Sequence, residues 1–314
     1  MSVVVVDLCG DLGDTLRSLC AEGSSDLVEV VLVTPDPDGA RIRYPELEQF
    51  AAVQVLRTSD PPTTGAARAT GFRAASAPVV TYCEEHAFPE PGWVAARLAA
   101  HDAGAAAVGA GLRNVNTDTA VSWAHCIQCF GPFVVPVAGG RSSNLPWHQT
   151  SYRRELLPDG PELESLLECE GLLHDELHRA GHTLVFEPAA VAGHLSPSRL
   201  RSLFAAAWYG GRVWGAGRAK HGAWSPRHRL THAALFPHTA FRELRLRLID
   251  SHRVIPSRWR SVALLLGPAI VVHAVAEAVG VLFGAGDTLG KFNDIELNRR
   301  AYLTADEAGI TIQP

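Results

Sequence analysis

The sequence predicts an α/β protein: a mainly parallel mixed sheet flanked by helices, followed by a helical C-terminal extension. Three observations predict it. Short β-branched apolar runs alternate with helical stretches over the first two hundred residues. Beyond about residue 200 strand signals fade, and Ala, Leu, Arg and Trp dominate. A chain of 314 residues, 47% hydrophobic and 19% charged, has enough apolar content for one large core or two modest ones.

In order, Val3 to Val6 reads as a buried strand and Asp11 to Ala21 as a helix with Leu12, Leu16 and Leu19 at helical spacing. Leu27 to Val33 is a second strand, and Thr34-Pro35-Asp36-Pro37-Asp38-Gly39 reads as loop. A third strand lies near Val53 to Leu56, a loop at Pro61 to Gly65, a helix at Ala66 to Ala75 and a fourth strand at Val79 to Cys83. Such sheets bind ligands beyond the carboxyl ends of their strands. Functional weight therefore falls on Asp7, on Thr34 to Asp38, and on Glu84-Glu85-His86. The pattern changes near residue 210, which divides a first domain, 1–210, from a helical region, 211–314.

The formal net charge of −5 points to no nucleic-acid partner. That average hides an asymmetry. From Arg199 to Arg260 there are 13 Lys and Arg against two acids, Glu243 and Asp250, so this stretch is near +11 and the remainder near −16. Phosphate groups, an anionic lipid surface, or plain solvated arginines on helix faces all fit such a block. Ser261 to Gly284 is apolar, but His273 and Glu277 share one helical face and Gly267-Pro268 interrupts the start. This favours a packed or interfacial helix over a membrane span. Six scattered cysteines and an N-terminus without a basic, then apolar, leader point to the cytoplasm. The pair Cys126-x-x-Cys129 reads as buried cysteine rather than a metal or redox motif.

The segment with most chemistry runs from Val79 to Trp93, VVTYCEEHAFPEPGW. A buried strand delivers three ionisable side chains to the sheet edge, and a Pro-x-Pro-Gly turn follows. Alternation puts Glu84 and His86 on one side and Glu85 on the other. Carboxylate plus imidazole suits Mn²⁺ or Mg²⁺, and such an ion neutralises a diphosphate. The alternative is a solvated turn with a salt bridge.

This stretch resembles the family 2 glycosyltransferase segment in which a strand ends in an Asp-rich triplet before Pro-x-Pro-Gly-Trp. Four further elements are similar to that family in the same order. They are Ala67-Arg68-Ala69-Thr70-Gly71, His148 to Glu155 (HQTSYRRE), Glu168-Cys169-Glu170 with Leu177 to Gly181, and Leu184 to His194 with its terminal histidine. The resemblance covers about residues 3 to 218. It implies a GT-A fold and transfer of a sugar from a nucleotide-diphosphate donor, a UDP-sugar by family default, to an unknown acceptor in one inverting step. It further implies Glu170 as general base, with Glu168 and Asp175 as competitors. Glu84, His86 and His194 become metal ligands, and Asp7, Asp36, Asp38, Arg68, Glu84 and Glu85 donor-binding residues. Trp147 and His148 fall on the acceptor side. His194 also reads as a structural histidine, Arg68 as a helix-surface arginine and Trp147 as a buried aromatic.

Two departures stand out: Glu84-x-His86 replaces the family's Asp-x-Asp, and Thr34-Pro35 replaces the acidic pair that reads the base. They keep open a second reading, a catalytically altered binding or partner protein on the same scaffold. A dinucleotide-binding enzyme is disfavoured, because the turn after the first strand, Asp7 to Asp14, lacks the glycine triplet. Trp208 to Arg218, with its aromatics, glycines and cations, reads either as a cover over the diphosphate or as close helix packing. The C-terminal part suits acceptor, membrane-surface or homodimer contacts, the membrane contact being peripheral.

Overall fold

The computed structural model describes residues 1–58, 63–310 and 312; Pro61 and Pro62 of the expected loop lie outside these. The strands are β1 (Ser2–Val6), β2 (Glu29–Thr34), β3 (Ala52–Arg57), β4 (Val79–Tyr82), β5 (Ala87–Pro89), β6 (Ala107–Asn114), β7 (Gly140–Arg141), β8 (Thr150–Arg153) and β9 (Leu184–His194). They form one mixed sheet in the order 3-2-1-4-8-6-9-5, with β7 beside β9. The chain separates by internal contacts into two compact units, 1–113 with 135–194 and 114–134 with 195–310.

In the first unit, β1 pairs in parallel with β2 and β4, and β2 with β3. Val3 to Val6 are buried throughout, as expected of a strand covered on both faces. The other half of the sheet is antiparallel: β8 pairs with β4 and β6, and β9 with β5 and β7. Helices α1 (Gly13–Ala21), α2 (Pro37–Arg43), α3 (Thr64–Ala74) and α4 (Trp93–Asp102) follow the early strands. Leu12, Leu16 and Leu19 are buried as their spacing predicts.

One reading is corrected. Thr34 to Gly39 is not all loop, because α2 begins at Pro37. Asp36 caps it by accepting the Gly39 N–H at 3.1 Å, and proline at the first helical position has its φ already set. The turn residues that suggested a loop are also helix-start residues. Similarly, Thr63 caps α3, which starts two residues before the expected Ala66.

The chain continues with α5 (Ala120–Phe130), α6 (Glu162–Glu168), α7 (Glu170–Arg179), α8 (Leu200–His221), α9 (Pro226–Ala234), α10 (Phe236–Val254), α11 (Trp259–Phe283) and α12 (Thr288–Leu297). The second unit is helical, and α8 runs without a break across residue 210. Its glycines explain the Trp208 to Arg218 segment as packing. A Cβ on Gly211 or Gly215 would run into the carbonyl oxygen of His273 or Glu277 on α11, and one on Gly280 would meet that of Arg212. Small residues thus let the two backbones touch. Glu277, the charge that interrupts the apolar segment, is buried and meets Arg218 at 2.6 Å and His232 at 3.2 Å. α11 has the length and hydropathy of a span, but 39% of its most apolar window is buried within the protein.

Candidate functional site

Strands β2 and β3 lie to one side of β1, and the chain then crosses to place β4 on the other. The carboxyl ends of β1 and β4 therefore flank the crevice where such sheets bind ligands. Asp7 follows β1 directly, and Glu84 comes two residues after β4.

At the β1 end Asp7 is buried. It accepts the Gly10 N–H at 2.6 Å and the Tyr44 hydroxyl at 2.9 Å, and Arg43 lies 3.5 Å away. Arg43 also reaches Asp36 at 3.4 Å, so one guanidinium links the two carboxylates. Asp38 is exposed in the first turn of α2. Burial first, then the charge on Asp7, pushes the Tyr44 phenol up to about 12.

At the β4 end the chain turns tightly, with Ala87 N–H donating to the Glu84 carbonyl at 3.0 Å. Thr15 on α1 pins the turn by donating its hydroxyl to the Glu85 carbonyl at 2.8 Å. β5 then pairs with the last residues of β9, Ala87 opposite His194. That register brings His194 to the Glu-Glu-His turn across more than a hundred residues of sequence. The rings of His86 and His194 sit edge to face with centroids 4.8 Å apart.

Glu84 is the hub. One carboxylate oxygen meets His148 Nδ1 at 2.8 Å, and the other accepts from Gln149 Nε2 at 3.0 Å. His86 Nε2 and His194 Nε2 stand 3.6 and 3.5 Å from these oxygens. Burial by itself would raise the pKa of Glu84. The surrounding imidazoles of His86, His148 and His194 outweigh burial and hold it well below the usual carboxylate range. Glu85 meets His86 Nδ1 at 3.2 Å.

One ligand atom each from Glu84, His86 and His194 lies within 4.8 Å of the others, and all three residues are buried. A carboxylate with two imidazoles is a donor set for Mn²⁺ and its later neighbours more than for Mg²⁺, which prefers oxygen alone. The residues fit a divalent cation, and the fold brings this sequence-predicted trio together.

Behind this cluster, Arg68 and Glu170 form an ion pair in which both side chains are fully buried. Arg68 also donates to the Leu167 carbonyl at 2.6 Å and lies 4.6 Å from the Tyr82 ring centroid. It is neither a surface arginine nor open to a phosphate. Glu170 opens α7 and accepts the His148 N–H as well. His148 holds a left-handed φ of 63°, rare for a residue with a Cβ and costing of order 1–3 kcal/mol. Glu170 and Glu84 thus hold the backbone and the ring of His148 respectively. Burial and Arg68 oppose a charged His148 imidazole, but its bond to Glu84 and the fields of Glu84 and Glu170 prevail and raise its pKa.

Residues 9–159 match the family model described as glycosyl transferase family 2. Those 151 of the 314 residues are similar to a family 2 glycosyltransferase domain, and the fold is of GT-A type. A mannosyltransferase from Pyrobaculum calidifontis, solved with GDP-Man and Mn²⁺, is 16% identical with a TM-score of 0.55, covering 90% of this chain and 86% of its own. GalNAc-T7 with UDP, GalNAc and Mn²⁺ is 15% identical with a TM-score of 0.44, over 62% of this chain. The present chain spans only 43% of that protein's length. Glucosyl-3-phosphoglycerate synthase from Mycobacterium tuberculosis, with Mn²⁺, UDP and phosphoglyceric acid, is 19% identical with a TM-score of 0.44, over 70% and 77% of the two chains. No curated protein matches the sequence.

The family 2-like domain therefore brings together Glu84, Glu85, His86, His148 and His194, and through His148 it joins them to Glu170 and Arg68. Trp147 is half-buried beside His148. Asp175 is exposed and five residues along α7 from Glu170, about 140° around the helix, so the two do not share a face. Glu168, half-buried, accepts the Gly65 N–H at 2.8 Å, and burial raises its pKa. Sequence reading missed Gln149, Tyr44, Arg43 and Arg97. Gln149 was visible inside the His148 to Glu155 element. Arg97 is buried 3.8 Å from the Trp93 ring centroid and donates to Thr81 and the Gln149 carbonyl. Only its place on α4, four residues after Trp93, hinted at that role.

Proposed function

We propose that this protein transfers a glycosyl group from a nucleoside-diphosphate sugar to an acceptor nucleophile in one inverting step. The observation that carries the proposal is the convergence of Glu84, His86 and His194 at the crevice of a family 2-like domain. That a mannosyltransferase of similar fold holds GDP-Man and Mn²⁺ supports the same donor class here. Glu84, His86 and His194 would hold a divalent cation, which would supply positive charge for the departing diphosphate. The chain's own residues do the rest. Glu84 keeps its charge and orients His148 and Gln149, while the β5–β9 pairing holds His194 against the turn. As the anomeric carbon leaves the phosphate oxygen and bonds to the acceptor, the acceptor proton passes to a carboxylate.

Two carboxylates compete for that role. Glu170 holds the family position, and to serve it must exchange the His148 N–H for the acceptor. Glu168 is less buried and has the raised pKa that suits a base. Loss of turnover at unchanged stability in Glu168→Gln assigns the base to Glu168; retained turnover there leaves it with Glu170. The donor chemistry belongs to residues 1–210, and residues 211–314 serve the acceptor or subunit contacts. A cytoplasmic setting, read from the scattered cysteines, is part of the same proposal.

A thermal-shift series with UDP, GDP and their sugars, each with and without Mn²⁺ or Mg²⁺, tests the reading. A ligand at about a hundred times its Kd adds about 2.7 kcal/mol to stability. The expected result is a shift with nucleoside diphosphate that grows with Mn²⁺ more than with Mg²⁺ and vanishes in His194→Ala. No shift with any nucleotide refutes the donor site. The Glu-Glu-His triplet and the buried Arg68–Glu170 pair favour one second reading, a binding protein with altered catalysis. A nucleotide-induced shift without transfer to any acceptor would select it.

A further inference from the structure

The helical unit turns apolar side chains outward on α10. At 100° per residue, His238, Phe241, Arg242, Arg245, Leu246, Ile249 and His252 fall on one arc about 140° wide. All seven are exposed, Phe241 by 70%, Ile249 by 58% and Leu246 by 43%. No acid lies on that arc. The two acids of α10, Glu243 and Asp250, point elsewhere and pair with Arg247 at 2.5 and 3.2 Å. The start of α11 repeats the pattern, exposing Arg260, Leu264, Pro268 and Val271 within about 100° of arc. Leu264 is 78% exposed.

Large apolar groups interleaved with arginine, on one exposed face and without acids, suit an anionic membrane interface, where arginine stems lie along apolar groups while their guanidiniums reach the phosphates. We propose that this α10 face docks the protein onto the surface of an anionic lipid bilayer, with Phe241, Leu246 and Ile249 entering the headgroup region and Arg242 and Arg245 meeting lipid phosphates. Charge complementarity selects this occupant. A second copy of the chain, meeting the same face across a two-fold axis, would set one acid-free cationic face against an identical one. A span is disfavoured because α11 is held in the protein by the Gly211, Gly215 and Gly280 contacts and by buried Glu277. The inference stands on the helical unit alone and is independent of the donor chemistry.

Cosedimentation of the full chain with vesicles of phosphatidylcholine, with and without phosphatidylglycerol, tests it. The expected result is binding that requires phosphatidylglycerol and weakens with salt. Each arginine near an anionic surface contributes about fivefold to partitioning, so Arg242→Gln with Arg245→Gln should weaken binding about 30-fold. Phe241→Ser with Ile249→Ser should abolish it. Unchanged circular dichroism and melting temperature confirm folding, and if the serine pair unfolds, the exposed arginine pair decides. The proposal is overturned if the parent protein stays in the supernatant, or if the arginine pair binds as the parent does. It is also overturned if light scattering shows a lipid-free dimer that the serine pair dissociates.

Discussion

Replacing Glu170 by glutamine removes one charge and leaves shape almost unchanged. Arg68 then remains as a fully buried cation without its counter-charge. Breaking a buried pair from one side costs about 3–5 kcal/mol. The Leu167 carbonyl at 2.6 Å and the Tyr82 ring at 4.6 Å still face the guanidinium. They place the expected cost near the low end, about 3 kcal/mol. With a melting-temperature change of about 2–4 °C per kcal/mol, Glu170→Gln should melt roughly 6–12 °C lower. Replacing both residues, Arg68→Met with Glu170→Met, removes the stranded charge. What remains is the His148 N–H without its acceptor and the Leu167 carbonyl without its donor, at about 1–3 kcal/mol each. The double variant should therefore cost less than the sum of the two single substitutions, because neither charge is left stranded. Urea denaturation followed by tryptophan fluorescence measures both. A Glu170→Gln cost below about 1 kcal/mol would refute the reasoning, as would strictly additive costs in the double variant. The same numbers bear on catalysis, since loss of turnover in Glu170→Gln identifies a base only if it exceeds the loss explained by the fraction unfolded.

Stability should fall as the pH drops from about 6.5 to about 4. Burial lowers His101 and His174 to about 4, so between these values the unfolded chain takes up protons that the folded one refuses. Their contribution is full above about pH 6.5 and reaches at most about 3 kcal/mol each. His148, with its raised pKa, acts in the opposite sense and loses its contribution as pH rises. Urea midpoints across this range measure the slope, and His101→Gln should flatten it; a slope unchanged by that substitution counts against the assignment. In the helical unit, Gly215→Ala places a methyl against the Glu277 carbonyl and should cost about 1–3 kcal/mol, whereas Gly290→Ala, with open space around it, should cost nothing measurable. Equal melting temperatures for the two would rule out the close contact of α8 with α11.

The domain class and the ends of its strands were legible because they depend on local patterns. Continuous β-branched runs such as Val3 to Val6 admit few structures other than buried strands, and polar residues after such strands must lie at the sheet edge. Ordered short motifs added the family. They placed Glu84, His86 and His194 in one proposed set although the last is more than a hundred residues away. The misread loop at Thr34 to Gly39 shows the limit of local signals, because Asp-Pro-Asp-Gly serves a turn and a helix start equally.

What each functional side chain touches was decided only by tertiary structure. Arg68 read either as a donor-binding residue or as a helix-surface arginine and became the buried partner of Glu170, since only the approach of α3 to the start of α7 removes it from water. Asp7 looked open for a ligand and is bonded to Tyr44, on the far side of α2 in sequence. Glu84 carries the same carboxylate in either description, yet three imidazoles and one amide determine its charge state and its geometry, and they come from β9, from the turn after β4 and from the segment before β8. A sequence determines which groups a chain offers and which local shapes they favour. Burial and charge pairing depend on distances between residues remote along the chain, and these appear only once the sheet order and strand register are set.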